Sequence, residues 1–367
     1  MANTLLTPSI IAREALMVLE NNLVLAGLVH RDYSNEFAKV GDTITIRRPA
    51  TFQAQEFTTS INVQDATEGS VQVQLNKHLD VSFAVTSKEL ALSIQDFSEQ
   101  LIQPAMRAIA QKVDELIAGL YVDVPYIVDV SGTPGPGDIA NLGKILNQNK
   151  VPLDNRRLVL DPVTHAKYVV LDAFLHAEKS GTTQALREAS MGRVLGFDSY
   201  MSQNIPIHSN GTFAVTSGTL TCASASAGAT SITASATGCS GQLNKGSIVT
   251  IADTPGVYVV TADCTASSNS ITIPIYPALA ASVASKTVTI KAGHIANLAF
   301  HRNAFALVTR PLQVPLGAGR AEVINYNGLS VRAVYSYDIN SKKDVISLDL
   351  LCGVKTLTPE MAVRLCG

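Results

Sequence analysis

Residues 71–85 read VQVQLNKHLDVSFAV, and an apolar side chain occupies every odd position of this stretch except Lys77. Polar residues fill the even positions until Ala84, so the pattern has a period of two residues. Such alternation is typical of a strand with one buried face. At about 3.3 Å per residue the stretch would reach roughly 50 Å, far more than an ordinary strand.

A shorter strand precedes this stretch. Residues 43–47 read TITIR and are stopped by Pro49, and a polar segment rich in Gln and Thr, residues 51–70, follows. The two strands predict a long two-stranded ribbon, which needs a surface to lie on because a lone ribbon is unstable in water. A neighbouring subunit is the favoured surface. A long strand within an ordinary sheet of its own domain is the alternative.

Two helices flank the ribbon. Near the N-terminus, Pro8 precedes apolar residues at helical spacing, and this helix packs either on its own core or, as an arm, on a neighbour. A longer helix is predicted over about residues 97–120, with an apolar side that includes Ile102 and a polar side that includes Asp114. Pro104 lies in its first turn or kinks it.

An α/β pattern then gives way to a β-rich one. Asp161-Pro162 is expected to begin a helix directly after a strand at 157–160. From Ser209 to Asn244 the chain contains no Asp, Glu, Lys or Arg. Later β-rich stretches favour a small inserted all-β domain over a low-complexity linker, and they lie at 247–252, 256–262, 270–275 and 286–291. Beyond Gly293, strands are predicted at 296–300, 329–337 and 345–351.

Composition excludes several classes of protein. Hydrophobic residues make up 46% of the 367 residues and charged residues 16%, which allows a large core and excludes a disordered protein. The net charge of −2 provides no basic field for nucleic acid or acidic lipid. Neither a signal segment nor a membrane-length apolar run is visible, so export and membrane insertion are not expected. The five cysteines lack a C-x-x-C pair and are expected to be reduced thiols rather than disulfides.

The sequence offers no motif for catalysis. It contains no phosphate-binding GxxxxGK[ST], metal-binding HExxH, nucleophile GxSxG or dinucleotide-binding GxGxxG. His294 and His301 lie in a stretch predicted as strand, which disfavours a shared metal site. We therefore expect no enzyme, no cofactor and no metal, and we assign no catalytic, cofactor-binding or metal-ligating residue.

Three stretches are similar to a known family. They read GRVLGFDSYMSQNIP at 192–206, LAFHRNAFALV at 298–308, and GLSVR at 328–332 followed by DLLCGVKTL at 349–357. Together they resemble the major capsid (coat) proteins of tailed bacteriophages, in the podovirus-like branch that carries an inserted β domain. The order of predicted elements fits this family along nearly the whole chain.

The resemblance implies an α+β fold, the tailed-phage major capsid fold, with peripheral and axial domains and an inserted small all-β domain. The expected regions are an N-terminal arm with a helix (1–38), an extended β-ribbon loop (39–92), a spine helix of the peripheral domain (93–130), an axial and peripheral α/β region (131–208), the inserted β domain (209–292) and the return to the axial and peripheral domains (293–367).

The resemblance also implies function by assembly. Pentamers and hexamers of this chain would close an icosahedral shell around the genome, after assembly in the host cytoplasm, with a scaffolding protein and a portal as further partners. The virion would enclose the genome without sequence-specific binding, and no membrane would take part. Two alternatives stay open: an exported, adhesin-like surface protein that binds through the inserted β domain, and a hydrolase of unknown type.

In such a shell the ribbon is expected to contact neighbouring subunits. Apolar side chains would be buried there, and charged side chains would select the partner and the register. The expected contact residues are Ile44, Ile46, Arg47, Arg48, Glu56, Asp65, Glu68, Val71 and Val73.

Overall fold

The computed structural model describes residues 8–31, 43–47, 70–86, 98–130, 133–176, 184–314, 320–326, 329–338 and 343–367. These residues divide into two units. The first unit draws on Met1–Leu23, His30–Val113 and Ala306–Leu357, and the second on Val24–Val29, Asp114–Phe305 and Thr358–Gly367.

The helices of the described residues are mostly short. In chain order they are α1 (Pro8–Asn22), α2 (Leu25–Leu28), a π-helical turn (Ser98–Ile102), α3 (Gln103–Ala118), a 3-10 helix (Gly119–Asp123), α4 (Pro136–Gln148), α5 (Pro162–Val169), α6 (Asp172–Leu175), α7 (Gln184–Glu188) and two 3-10 turns (Arg302–Ala304 and Pro359–Met361).

The strands include three long ones in the first unit, and the others are shorter. Up to residue 222 they are β1 (Thr43–Arg47), β2 (Ser70–Gln74), β3 (Lys77–Thr86), β4 (Ile127–Asp129), β5 (Arg156–Leu160), β6 (Arg193–Val194), β7 (Phe197–Met201), β8 (Ile207–His208), β9 (Ala214–Val215) and β10 (Thr221–Cys222). From there on they are β11 (Ser231–Ser235), β12 (Cys239–Ser240), β13 (Gln242–Leu243), β14 (Ile248–Ile251), β15 (Tyr258–Val260), β16 (Cys264–Thr265), β17 (Ser270–Tyr276), β18 (Val288–Ile290), β19 (His294–His301), β20 (Phe305–Arg310), β21 (Arg320–Tyr326), β22 (Leu329–Asp338), β23 (Lys343–Thr356) and β24 (Ala362–Cys366).

The first unit is built on a five-stranded sheet ordered β20-β23-β22-β21, in which β3 also pairs with β23. The antiparallel register of β3 and β23 sets apolar residues opposite each other, Leu79 to Leu350, Val81 to Leu348 and Phe83 to Ile346. Apolar cross-strand pairs of this kind stabilise a sheet. Helix α1 packs on β21 and β22 through a buried apolar side, so the N-terminal helix lies on the core of its own chain.

The predicted ribbon is shorter than expected. Strands β1 and β2 pair antiparallel, with Ile44 opposite Val73 and Ile46 opposite Val71. The strand pattern breaks at Leu75 and Asn76, and β3 then joins the five-stranded sheet. The prediction of one long ribbon is therefore wrong for residues 77–86, where the alternative of a strand in its own sheet holds. Alternation specifies the buried face of a strand, but the same pattern suits either partner.

The predicted long helix is confirmed, with one correction. Pro104 is the second residue of α3, within its first turn. Asp114 was placed on the polar side, yet it is only 1% exposed and accepts hydrogen bonds from the backbone N–H groups of Val24, at 2.9 Å, and Ala26, at 3.1 Å. Burial raises the pKa of Asp114, and these backbone donors partly oppose that rise. The carboxyl group thus satisfies the free N–H groups where α2 begins.

The second unit contains a mixed sheet ordered β4-β24-β19-β5-β7-β6, with β8 paired to β19. Asp161 follows β5 and accepts hydrogen bonds from the N–H groups of Val163 and Thr164, as expected of the residue that begins α5. The amide of Asn297 on β19 accepts a hydrogen bond from the Asp161 N–H at 2.6 Å. This contact fixes the start of α5 against the middle of the sheet.

The β-rich segment, residues 209–292, forms a six-stranded antiparallel sheet ordered β10-β11-β17-β15-β14-β18. The strands predicted at 247–252, 256–262, 270–275 and 286–291 coincide with β14, β15, β17 and β18. Its apolar cluster is drawn from residues 213–290 and includes Ile232, Leu243 and Ile273. The segment is a folded sheet and not a linker, while the boundaries of an inserted domain stay a prediction.

Gly353 on β23 leaves no room for an added methyl group. A Cβ atom at this position of β23 would lie 2.3 Å from the carbonyl oxygen of Gln74, which is backbone and cannot rotate away. We expect Gly353→Ala to lower the free energy of unfolding by about 1–3 kcal/mol, measured by urea denaturation.

Gly27→Ala is the matched control, because nothing lies within 4 Å of a Cβ atom built there. It should leave the urea midpoint unchanged or raise it slightly, because alanine is the better helix former. If both variants unfold at the wild-type midpoint, the close approach of β2 to β23 is contradicted.

Candidate functional site

The apolar residues of the ribbon pack inside the chain. Ile44, Ile46 and Val73 are at most 4% exposed and lie in one cluster with Ala306, Val308 and Leu357, while Val71 is partly buried against it. The side chains of the first three are thus enclosed by their own chain, which corrects the expectation that they are free to be buried by a neighbour. Contact of the ribbon with another subunit stays a prediction.

The charged residues expected at the ribbon are largely outside the described residues. This applies to Arg48, Glu56, Asp65 and Glu68, and Arg47 is described only by its backbone pairing with Ser70. What the described part of the ribbon presents is a polar face. Exposed Ser70, Gln72 and Gln74 line a groove of about 650 Å³ together with Val354 and Lys355. Amide and hydroxyl side chains there can hydrogen-bond a partner.

An ionic cluster holds the five-stranded sheet together. Arg332 and Asp349 are direct cross-strand neighbours, and Arg332 donates from Nε to Asp349 Oδ1 at 2.9 Å and from Nη2 to the other oxygen. His78 Nε2 lies 3.2 Å from the same carboxylate, which is 3% exposed. A bidentate arginine–carboxylate pair of this kind is stronger than an exposed ion pair. Sequence reasoning missed it because the three residues belong to three different strands.

A second buried cluster, the polar centre, lies in the second unit and consists of Tyr121, His208, Ser247, His294 and Arg364. Tyr121 Oη is 2.9 Å from His208 Nδ1, and Ser247 Oγ is 3.1 Å from His208 Nε2. Ser247 donates its hydroxyl proton to the Asn244 carbonyl oxygen at 2.8 Å, so it accepts from His208 Nε2–H. Nδ1 of the neutral ring therefore accepts from the Tyr121 hydroxyl.

The charge in the polar centre is that of Arg364. Its side chain is 0% exposed, donates from Nη1 to the Gly246 carbonyl oxygen at 2.7 Å, and lies over the Tyr121 ring with Cζ 5.1 Å from the centroid. Burial, followed by the positive charge of Arg364, lowers the pKa of His208 to about 4. The one sequence signal was an arginine between apolar residues in AVRLC, the sequence of β24.

The histidines considered for metal binding do not form a metal site. His294 and His301 lie at opposite ends of β19, a strand as predicted. Among the described residues, no group of three or more His, Cys, Asp or Glu side chains could hold a metal ion. All five cysteines belong to the described residues and are free thiols. No helix in the described part of the chain is long and apolar enough to span a bilayer.

A groove of about 780 Å³ runs along the surface of the second unit between α4 and the β6–β7 hairpin. Its rim carries two exposed apolar side chains, Leu153 at 70% and Leu195 at 58% exposure. The charged residues of its lining are Lys144, Arg156 and Arg193, and of these Arg193 also lies 3.9 Å from Asp198. An apolar surface beside positive charge suits a partner that carries apolar and acidic side chains.

A comparison with protein families identifies the chain. The model of the P22 coat protein family, described as P22 coat protein - gene protein 5, matches residues 1–269. The chain belongs to the P22 coat protein family. The matched part contains the ribbon, α3 and most of the β-rich segment.

A solved structure gives the fold of this coat protein, and others are similar to a lesser degree. A chain from Mycobacterium phage Che8 is similar over 94% of this chain and 90% of its own, at 16% identity and a TM-score of 0.52. Chains from the capsid structure of the cyanophage P-SCSP1u (13% identity, 89% and 84% covered, TM-score 0.48) and from the bacteriophage PhiM1 mature capsid (11% identity, 89% and 82% covered, TM-score 0.45) are further matches. None of the curated proteins compared with the chain matches it.

The expected class of protein is therefore confirmed. This coat protein has the tailed-phage major capsid fold, and its copies assemble into the icosahedral shell of the virion, which encloses the genome. It is a structural protein. The comparisons give no support to the adhesin-like alternative.

The polar centre predicts that the coat protein loses stability in acid. The unfolded chain takes up a proton on His208 near the ordinary pKa of 6.5, whereas the folded chain does so only near pH 4. The contribution of His208 to the free energy of unfolding should therefore be fully present above about pH 6.5. It should fall by roughly 3 kcal/mol between about pH 6.5 and about pH 4. The free energy of unfolding from urea titrations across this range measures the slope.

His208→Gln should flatten this slope, although its stability at neutral pH will be lower. His176→Gln is the control, because the His176 side chain is 48% exposed and should keep the wild-type slope. Equal slopes in wild type and His208→Gln would show that His208 does not resist protonation.

Proposed function

We propose that the coat protein forms pentamers and hexamers of the shell, and that the groove between α4 and the β6–β7 hairpin is one contact between its copies. The observation that carries this proposal is the conformation of Leu195. Together with Gly196 it forms the two-residue loop between Val194 and Phe197, and both loop residues have positive φ, 47° and 89°. Such loops favour Asn, Asp or Gly at the first position.

Leu195 is costly for the isolated chain in two ways. The left-handed conformation disfavours a leucine by about 1–2 kcal/mol, and the side chain exposes 58% of its surface to water. A leucine that is unfavourable both for the backbone conformation and for exposure to water is explained if a partner covers it. Leu153 on the same groove, 70% exposed, would be covered by the same partner.

The partner surface that fits this groove is α7 of a second copy. Leu186 on this helix is 70% exposed and would enter the groove. Exposed Glu188 would pair with Lys144, while the neighbouring Arg187, also exposed, leaves the helix without net charge. Groove and helix are different surfaces, so the contact is head-to-tail. Repeated head-to-tail contacts close into rings when the rotation per subunit allows it, as pentamers and hexamers require.

The ribbon adds the second set of contacts. Arg47, Arg48, Glu56, Asp65 and Glu68 would choose the neighbour and its register by charge complementarity, which acts chiefly on specificity and association rate. A scaffolding protein and a portal complete the partners that we propose for assembly. The low net charge of −2 allows many copies to pack closely with little electrostatic repulsion. It also supports enclosure of the genome without strong electrostatic binding to it.

Leu195→Asn tests the groove contact. Asparagine suits the left-handed conformation and removes the apolar side chain, so the isolated subunit should be at least as stable as wild type in urea. The yield of shells, measured by sedimentation and negative-stain microscopy, should fall at least severalfold.

Val170→Asn is the control, since Val170 is 66% exposed and does not line the groove. It should assemble like wild type. If Leu195→Asn also assembles with wild-type yield, the groove is not a contact between copies, and the family assignment is unaffected.

The double variant Arg47→Ala/Arg48→Ala tests the charges of the ribbon. We expect shells to form at reduced yield and to disrupt at lower temperature, because partner choice loses its electrostatic component. Calorimetry of purified shells measures the change. Wild-type yield and heat resistance would exclude a role for these two arginines.

A further inference from the structure

Arg364 is a buried positive charge with unused hydrogen-bond donors. Its Nη1 group donates to the Gly246 carbonyl oxygen, whereas Nε and Nη2 have no hydrogen-bond partner among the described residues. Buried polar groups are nearly always hydrogen-bonded, and a guanidinium has five donors in a fixed plane. The two unpartnered nitrogens carry three of these five N–H groups, and at 0% exposure they require an acceptor.

The charge of Arg364 also lacks a counter-ion. No carboxylate of the described residues forms an ion pair with it, and Asp123, whose charge acts on Arg364, is paired with Lys245 Nζ at 2.7 Å. Burial lowers the pKa of Arg364 to about 10, so the guanidinium stays charged at neutral pH. A cation–π interaction with the face of the Tyr121 ring offsets part of the cost of burying this charge. A full negative charge is what the site lacks.

His294 supplies a third unused atom in the same polar centre. Its Nδ1 is 3.0 Å from the Ala292 carbonyl oxygen, so Nδ1 carries the proton and donates. Nε2, in a side chain of a residue 6% exposed, has no partner among the described residues. The His294 ring lies 5.4 Å from that of His208, whose two nitrogens are both engaged.

We propose that Arg364 binds a small monovalent anion, of the size of chloride, through its Nε and Nη2 groups, and that protonated His294 adds a third donor from Nε2. The anion would neutralise the buried guanidinium and satisfy its free donors. It would also strengthen the contact of β24 with Gly246 and Ser247 of the β-rich segment. This inference does not depend on the groove or ribbon contacts proposed above.

Anion binding at this site is linked to proton uptake. At neutral pH His294 offers a lone pair at Nε2, which repels an anion, and protonation converts that atom into a donor. Burial above all, together with the positive charges of Arg364 and Lys291, lowers the pKa of His294, whereas its hydrogen bond to the Ala292 carbonyl oxygen and the charge of Asp129 raise it. Tyr121, His208 and Cys366 are other titratable groups that interact electrostatically with Arg364 or His294. A bound anion offsets the opposing positive charges, so its affinity should rise as the pH falls below about 6.5.

The experiment compares purified coat protein in sodium chloride and in sodium gluconate at equal ionic strength, so that screening is the same. Gluconate is too large for a buried site. At saturating chloride the thermal unfolding midpoint should be at least about 2–4 °C higher than in gluconate. The difference between the two salts should be larger at about pH 5 than at about pH 8. Line broadening of the ³⁵Cl NMR signal by the wild-type protein measures binding directly.

Variants assign the effect to the site. Arg364→Met should lose both the chloride dependence and the line broadening, and His294→Gln should keep the effect at high pH and lose its increase at low pH. Arg107→Met is the control, because Arg107 is an exposed arginine on α3 and its replacement leaves no buried charge without a partner. If Arg364→Met does not fold, the wild-type and His294→Gln measurements decide. Equal midpoints in both salts without line broadening would mean that water fills the site and would overturn the proposal.

Discussion

The first unit depends on strand β23, because other strands pair with both of its edges along most of its 14 residues. Strands β3 and β22 pair with it over residues 343–349, β20 continues the sheet, and the chain near Gln74 approaches it at Gly353. A slip of one residue would turn every buried side chain of β23 toward the wrong face. The buried pair of Arg332 and Asp349 adds a polar restraint on the same register, because a charge at 3% exposure left without its partner is strongly destabilising.

This dependence explains what could be read from the sequence. The period-two pattern of residues 71–85 predicted the less exposed, apolar face of β3, and Asp161-Pro162 predicted where α5 begins, since both are set by neighbours in the chain. Local patterns do not contain the choice of partner strand, so β3 was assigned to the ribbon rather than to β23. Asp114 was misplaced for the same reason: its partners, the N–H groups of Val24 and Ala26, lie about 90 residues away in the chain.

The polar centre was equally hidden, although it lies at the base of the β-rich segment. Tyr121, His208, Ser247 and Arg364 come from four separate elements, and each alone looks like an ordinary residue of a helix end, strand or loop. Their oriented hydrogen bonds select one tautomer of His208 and so make the neutral ring part of the fold. A buried arginine adds less to stability than an apolar residue would. What it gains is directional contact with the Gly246 carbonyl oxygen, which fixes one packing of the segment.

Assembly sets a different condition from folding, and the candidate contacts reflect it. A shell repeats each contact in every copy, so a weak contact suffices and a strong one would trap misassembled rings. The coat protein has most of its large apolar residues in its own cores and leaves single apolar side chains exposed, Leu153, Leu186 and Leu195 among them. A leucine in the left-handed conformation raises the free energy of the unassembled subunit locally. In the proposed contact, covering it would gain the apolar burial while the conformational cost is already present in the free subunit, so association would need no further rearrangement of the hairpin.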